Sequence, residues 1–154
     1  MDEVASAKRT AELVRLFRER TPIARFFGMQ LSFNQDGGAI VDMPYNPNLN
    51  HPLGGIHGGV YATMLDCAGW FTVAATTDRL RWVATSEFTV HLLEPAQHTS
   101  LRSVGSLVRL GKRQAVAEMR LVDGAGRLVG HGIGTFVILP NVPATNTTPR
   151  RKPP

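Results

Sequence analysis

The chain has 154 residues, of which 43% are hydrophobic and 19% charged, a composition that suits one soluble domain with a substantial core. Its single cysteine, Cys67, excludes an intrachain disulfide and fits a reducing, cytoplasmic setting. The formal net charge is +5, but Arg150, Arg151 and Lys152 supply three of those charges; the body carries 5 − 3 = +2, which does not argue for a nucleic-acid partner.

Residues 2–20 mix charges with Leu13, Leu16 and Phe17 at helical spacing, which predicts a surface helix with one apolar stripe. The stretch has mixed charge and no apolar signal region, so secretion is not expected. Pro22 starts a second short helix, and Gly28 ends it. Residues 1–28 are thus a helical N-terminal segment. Two strands follow, over residues 29–33 and 39–43, joined by the turn Asn34-Gln35-Asp36-Gly37-Gly38. Residues 44–56 form a loop rich in Asn, Pro and Gly that leads into a helix.

The stretch from His57 to Thr76, HGGVYATMLDCAGWFTVAAT, reads as a helix apolar on nearly every side. It has about the minimum length for a membrane span, but it holds Asp66 and three glycines, and alternating strands follow it. It is therefore expected to be a buried core helix, with no membrane partner.

Residues 82–93 alternate with period two. Trp82, Ala84, Phe88, Val90 and Leu92 make an apolar face interrupted by Ser86, and Thr85, Glu87, Thr89 and His91 lie opposite. Strands over 100–110, 113–122 and 127–139 follow, with turns at Gly111-Lys112 and Asp123-Gly124-Ala125-Gly126. The four late strands are expected to form an antiparallel meander. Residues 140–154 hold five prolines and read as a disordered basic tail. The expected architecture is α+β: a six-stranded antiparallel sheet wrapped around the central helix, over residues 29–139.

Two features of the central helix carry chemistry. Gly58-Gly59 lies at its start, where free N–H groups and the helix dipole suit an anion or a developing oxyanion. Asp66 is its only charged side chain, and a lone carboxylate in apolar surroundings suits a base or nucleophile. Eight residues separate Gly58 from Asp66, or about 12 Å along a helix. That is too far for both to touch one carbonyl, so a joint role places the site between two subunits.

The segment LGGIHGG at 53–59, the run to Leu65-Asp66 and TSEFTVHLLEP at 85–95 resemble the hotdog-fold acyl-CoA thioesterases of the phenylacetate-degradation (PaaI-like) type. That family has G-x-x-H-G-G followed by an acidic residue nine positions after the His, as from His57 to Asp66 here, then a Thr or Ser opening a strand, here Thr85. The resemblance implies a hotdog fold and hydrolysis of an aromatic or medium-chain acyl-CoA. It implies a dimer or tetramer, and no cofactor beyond the coenzyme A of the substrate. By the same resemblance, Gly58 is the oxyanion donor, Asp66 the carboxylate from the opposite subunit, Thr85 a positioning hydroxyl, and His57 lines the site. Six residues before His57 the family has Asn or Gln, where this chain has His51 after Asn50. Either could take the carbonyl-binding role, with Gly59 beside them.

Plainer roles stand next to these. Gly58-Gly59 could serve only close packing, His57 could be a helix cap, and Asp66 could be a structural carboxylate. Cys67 reads as a small buried side chain rather than a nucleophile. Arg109, Lys112 and Arg113 cluster at a hairpin, as a solvated turn or as a site for the coenzyme's phosphates. His51, His57 and Asp66 do not make a metal-ligand spacing. The rival functions are an acyl-CoA-binding protein without turnover and a hydratase. The hydratase pattern would need an Asp–His pair five residues apart, and position 71 is Phe.

Overall fold

The computed structural model describes residues 3–77 and 80–144. Helix α1 (Glu3–Arg20) buries Leu13 and Phe17 completely, a stripe worth about 1.5–3 kcal/mol per side chain. Phe17 meets Phe71 of the central helix edge to face, ring centroids 5.1 Å apart. Helix α2 (Pro22–Phe27) starts on proline and ends at Gly28, whose φ of 72° is left-handed. Gly28 N–H donates to Arg25 O and Met29 N–H to Ala24 O, closing the helix with a Schellman pair.

Strands β1 (Gln30–Phe33) and β2 (Ala39–Met43) form the expected hairpin. Asn34 Oδ1 accepts from the N–H groups of Asp36 and Gly38, so the turn is held by its first side chain. The central helix, α3, spans Gly58–Thr76. Then come β3 (Arg81–Leu92), β4 (Leu101–Leu110), β5 (Gln114–Asp123) and β6 (Leu128–Pro143). All pairings are antiparallel, in the order β1-β2-β4-β5-β6-β3. The sheet packs on α3, with Met64, Leu65, Ala68 and Val73 of the helix against Val41, Leu101, Met119 and Phe136 of the strands, all at most 1% exposed.

Four expectations change. The late strands are not a meander of four: only β4, β5 and β6 are sequential neighbours, and β3 pairs with β6 at the sheet's edge. The connection after β3 crosses the start of α3, where Tyr61 Oη donates to Glu94 O and Ile56 N–H to Ala96 O. That crossing carries the chain from one side of the sheet to β4. The face assignment of β3 also changes. Val83 is fully buried while Trp82 is 41% exposed, and Thr85 reaches α3. A bulge between Thr85 and Glu87 leaves Ser86 unpaired and resets the alternation, so Phe88 and Val90 then face the core.

Helix α3 is not buried all round. Gly59, Ala62, Thr63, Asp66, Cys67 and Trp70 form a stripe at helical spacing that the sheet leaves at least partly open. Finally, β6 continues through Pro143, and Ala144 N–H donates to Leu80 O. Strand β6 therefore runs past its expected end at 139; residues 145–154 of the expected tail lie outside the described residues. No helix among the described residues is long and apolar enough to cross a membrane.

Candidate active site

The loop before α3 folds back on itself. His51 N–H donates to Gly55 O, Gly54 N–H to His51 O, and His57 N–H to Leu49 O. The His51 ring accepts from Leu53 N–H through Nδ1 at 3.2 Å. An accepting Nδ1 puts the proton of a neutral imidazole on Nε2, which makes that atom a donor. Asn50 Nδ2 gives one of its two N–H groups to Tyr45 Oη at 2.9 Å, and its Oδ1 is buried without a partner among the described residues. His51 Nε2–H and the second Asn50 N–H are thus both donors at this loop.

His57 caps α3. Its Nδ1 accepts from Gly59 N–H at 2.8 Å, and its carbonyl accepts from Val60 N–H. Gly59 N–H is therefore engaged by the cap. Gly58 N–H, the first of the helix, makes no hydrogen bond among the described residues. A Cβ at Gly58 would lie 2.7 Å from Leu92 Cδ1, the tip of an exposed side chain at the end of β3.

Asp66 sits two turns further along. Thr85 Oγ1 donates to its Oδ1 at 2.8 Å, and Oδ2 makes no hydrogen bond among the described residues. Burial raises the Asp66 pKa above the usual carboxylate value, and the Thr85 bond offsets part of that rise. Such a group can accept a proton near neutral pH more readily than an ordinary aspartate. Cys67 beside it is pushed up to about 12, by burial first and the Asp66 charge second, so its thiol stays protonated and is a poor nucleophile.

A cavity of about 210 Å³ opens against Asp66. Trp70 and Phe71 of α3, Trp82 of β3 and Leu16 of α1 form its apolar walls. Trp70 is fixed by a 2.6 Å hydrogen bond from Nε1 to Val83 O and stands edge-on to Trp82, centroids 5.2 Å apart. Leu16 and Trp82 were not foreseen as site residues. Leu16 is 50 positions from Asp66 in sequence, and no local pattern joins them.

The basic hairpin does not join this group. Lys112 lines a separate cavity of about 190 Å³ with Arg81, Thr76 and Thr77, at the far end of α3. Ten residues of helix separate Asp66 from Thr76, or about 15 Å. Arg109 is exposed on β4, and the carbonyl of Arg113 accepts from Ile138 N–H. Among the described residues no three His, Cys, Asp or Glu side chains gather in a way that could hold a metal ion.

The fold, a six-stranded antiparallel sheet around a long helix, with His-Gly-Gly at the helix start and an acid nine residues on, defines a class. The model of the thioesterase superfamily matches residues 53–130, 78 of the 154, and the chain belongs to that hotdog-fold family. It is 27% identical over 124 residues to a Saccharolobus solfataricus protein named "Putative esterase", covering 80% of this chain and 88% of that one. A Bacillus halodurans protein whose crystal structure contains CoA superposes with a TM-score of 0.74 at 30% identity, covering 89% of this chain and 92% of that one. The Escherichia coli PaaI protein from the phenylacetic acid degradation operon shares the fold at a TM-score of 0.77 and 17% identity, covering 88% and 94%.

Proposed function

We propose that the protein hydrolyses acyl-CoA thioesters to a free acid and coenzyme A, at sites shared between two copies of the chain. One observation carries the shared site: Gly58 and Asp66 each contact β3, at Leu92 and Thr85, and β3 is an edge strand with one side unpaired. Antiparallel pairing of β3 with its own copy would turn the Thr85 half of one strand toward the Leu92 half of the other. Asp66 of one chain is thereby carried toward Gly58 of the second. The half-open stripe on α3 lies along the same junction.

The unoccupied Gly58 N–H polarises the thioester carbonyl and stabilises the oxyanion, with His51 Nε2–H as a second donor. Asp66 of the other copy, held through Oδ1 by Thr85, uses its open Oδ2. It either takes a proton from water, which attacks the carbonyl, or attacks directly to form an anhydride that water then opens. The acyl group is aromatic or medium-chain, which suits the apolar cavity beside Asp66. The CoA in the Bacillus halodurans relative supports the choice of thioester. A dimer is the smallest complete unit, and pairing of dimers would give a tetramer.

The test is free-thiol release from a panel of aromatic and straight-chain acyl-CoAs by wild type and Asp66→Ala. Release that depends on Asp66 supports the hydrolase. Bound acyl-CoA with no release across the panel would instead make the protein a binding protein.

A further inference from the structure

The matched family segment, residues 53–130, leaves out α1, yet α1 supplies a wall of the cavity at Asp66. The cavity runs from Asp66 toward Trp70, one turn further along α3. Phe71 is 5% exposed and lies on the inner side, across from Leu16, which packs against the core. Trp82 and Arg20, both exposed, stand at the rim. The Phe17–Phe71 contact anchors α1 to α3 at this level.

From this arrangement we infer that the N-terminal helix, through Leu16, sets the size limit of the acyl group. The inference rests on the thioesterase reading for the identity of the occupant, while the cavity and its wall stand apart from that reading. Its volume commits to a class. An apolar cavity of about 150 Å³ accepts a benzene ring, and a further water-sized group takes about 30 Å³. A cleft of about 210 Å³, open on one side in the single chain, gives room for a phenyl ring between α1 and α3. The occupant is a compact, ring-bearing acyl group of the 3-phenylpropanoyl size. A fused bicyclic acyl group turned toward α1 meets Leu16.

The test compares butanoyl-CoA, 3-phenylpropanoyl-CoA and 3-(naphthyl)propanoyl-CoA in wild type, Leu16→Phe, Leu16→Ala and Trp82→Ala. Filling the space in Leu16→Phe is expected to lower kcat/KM for the phenyl substrate about tenfold relative to butanoyl-CoA. Enlarging it in Leu16→Ala is expected to raise the naphthyl-to-phenyl ratio by about tenfold. Trp82→Ala changes an exposed rim side chain, keeps the fold, and should shift the ratio the same way by a smaller factor. Ratios unchanged within about twofold in all folded variants would overturn the inference. Binding of the matching non-hydrolysable thioether CoA analogues, by calorimetry, separates the two readings. If wild type binds the analogues with this size order but releases no thiol, the wall stands and the hydrolase fails. Turnover whose size order ignores Leu16 and Trp82 means the reverse. Neither binding nor turnover sinks both.

Discussion

Thr85 and Asp66 are joined by a 2.8 Å hydrogen bond from the first half of an edge strand to the middle of the central helix. The bond fixes the carboxylate rotamer, leaves one oxygen open, and lowers a pKa that burial has raised. It links the sheet's edge, where a second copy would pair, to the group proposed to drive the reaction.

Asp66→Asn keeps the acceptor for Thr85 and removes the charge. Turnover should fall by about 10²–10⁴, measured as thiol release. Stability should move the other way at neutral pH. The raised pKa means the folded chain holds this proton more tightly than the unfolded one, so wild-type stability falls as pH climbs from the unfolded value, about 3.9, through the folded value. The variant should melt higher than wild type at pH 7 and match it near pH 3; equal melting at both would contradict the burial cost.

Thr85→Val removes the one contact that lowers the Asp66 pKa. The acidic limb of the kcat/KM profile should shift to higher pH, with the rate at its plateau reduced by less than in Asp66→Asn. A profile that keeps its acidic limb in place would separate Thr85 from the titration of Asp66.

Gly58→Pro deletes the free N–H at a helix position where proline is tolerated. Gly58→Ala keeps the N–H and adds the same Cβ against Leu92. If the donor matters, the proline variant should lose about 10²–10³ in kcat beyond the alanine variant. Equal losses in both would trace the effect to the Leu92 contact.

His57→Ala removes the cap acceptor for Gly59 N–H and should cost about 1 kcal/mol. In a domain of this size that is a fall in Tm of about 2–4 °C. His57→Ser should recover most of it. A fall in activity that His57→Ser does not restore would give the ring a role beyond capping.

Much of the fold could be read locally. Pro22 and Gly28 marked both ends of α2, Asn34 through Gly38 marked the hairpin, and the apolar run marked α3, because each signal depends on neighbours in sequence. The Asp66–Thr85 contact was reachable through a known pattern, although alternation alone put Thr85 on the face away from the core. The place of β3 beside β6 was not legible, since strand order is decided by a crossing connection over α3 that leaves no periodic trace. The wall formed by Leu16 was hidden for a similar reason. Its contacts with α3 exist only after the chain has folded, and a leucine on a helical stripe looks the same whether it faces a core or a cavity.

The unpaired Ser86 has a consequence for how β3 can change. Its extra residue acts as a phase shifter, letting one strand show the helix Thr85 before it and Phe88 after it. Straightening the bulge with Ser86 still in the ladder would restore strict alternation along the strand. Either Thr85 would then turn away from Asp66, or Phe88 and Val90 would turn to water. With two residues between Thr85 and Phe88, the strand's chemistry and its packing agree only while one of the two stays out of the ladder.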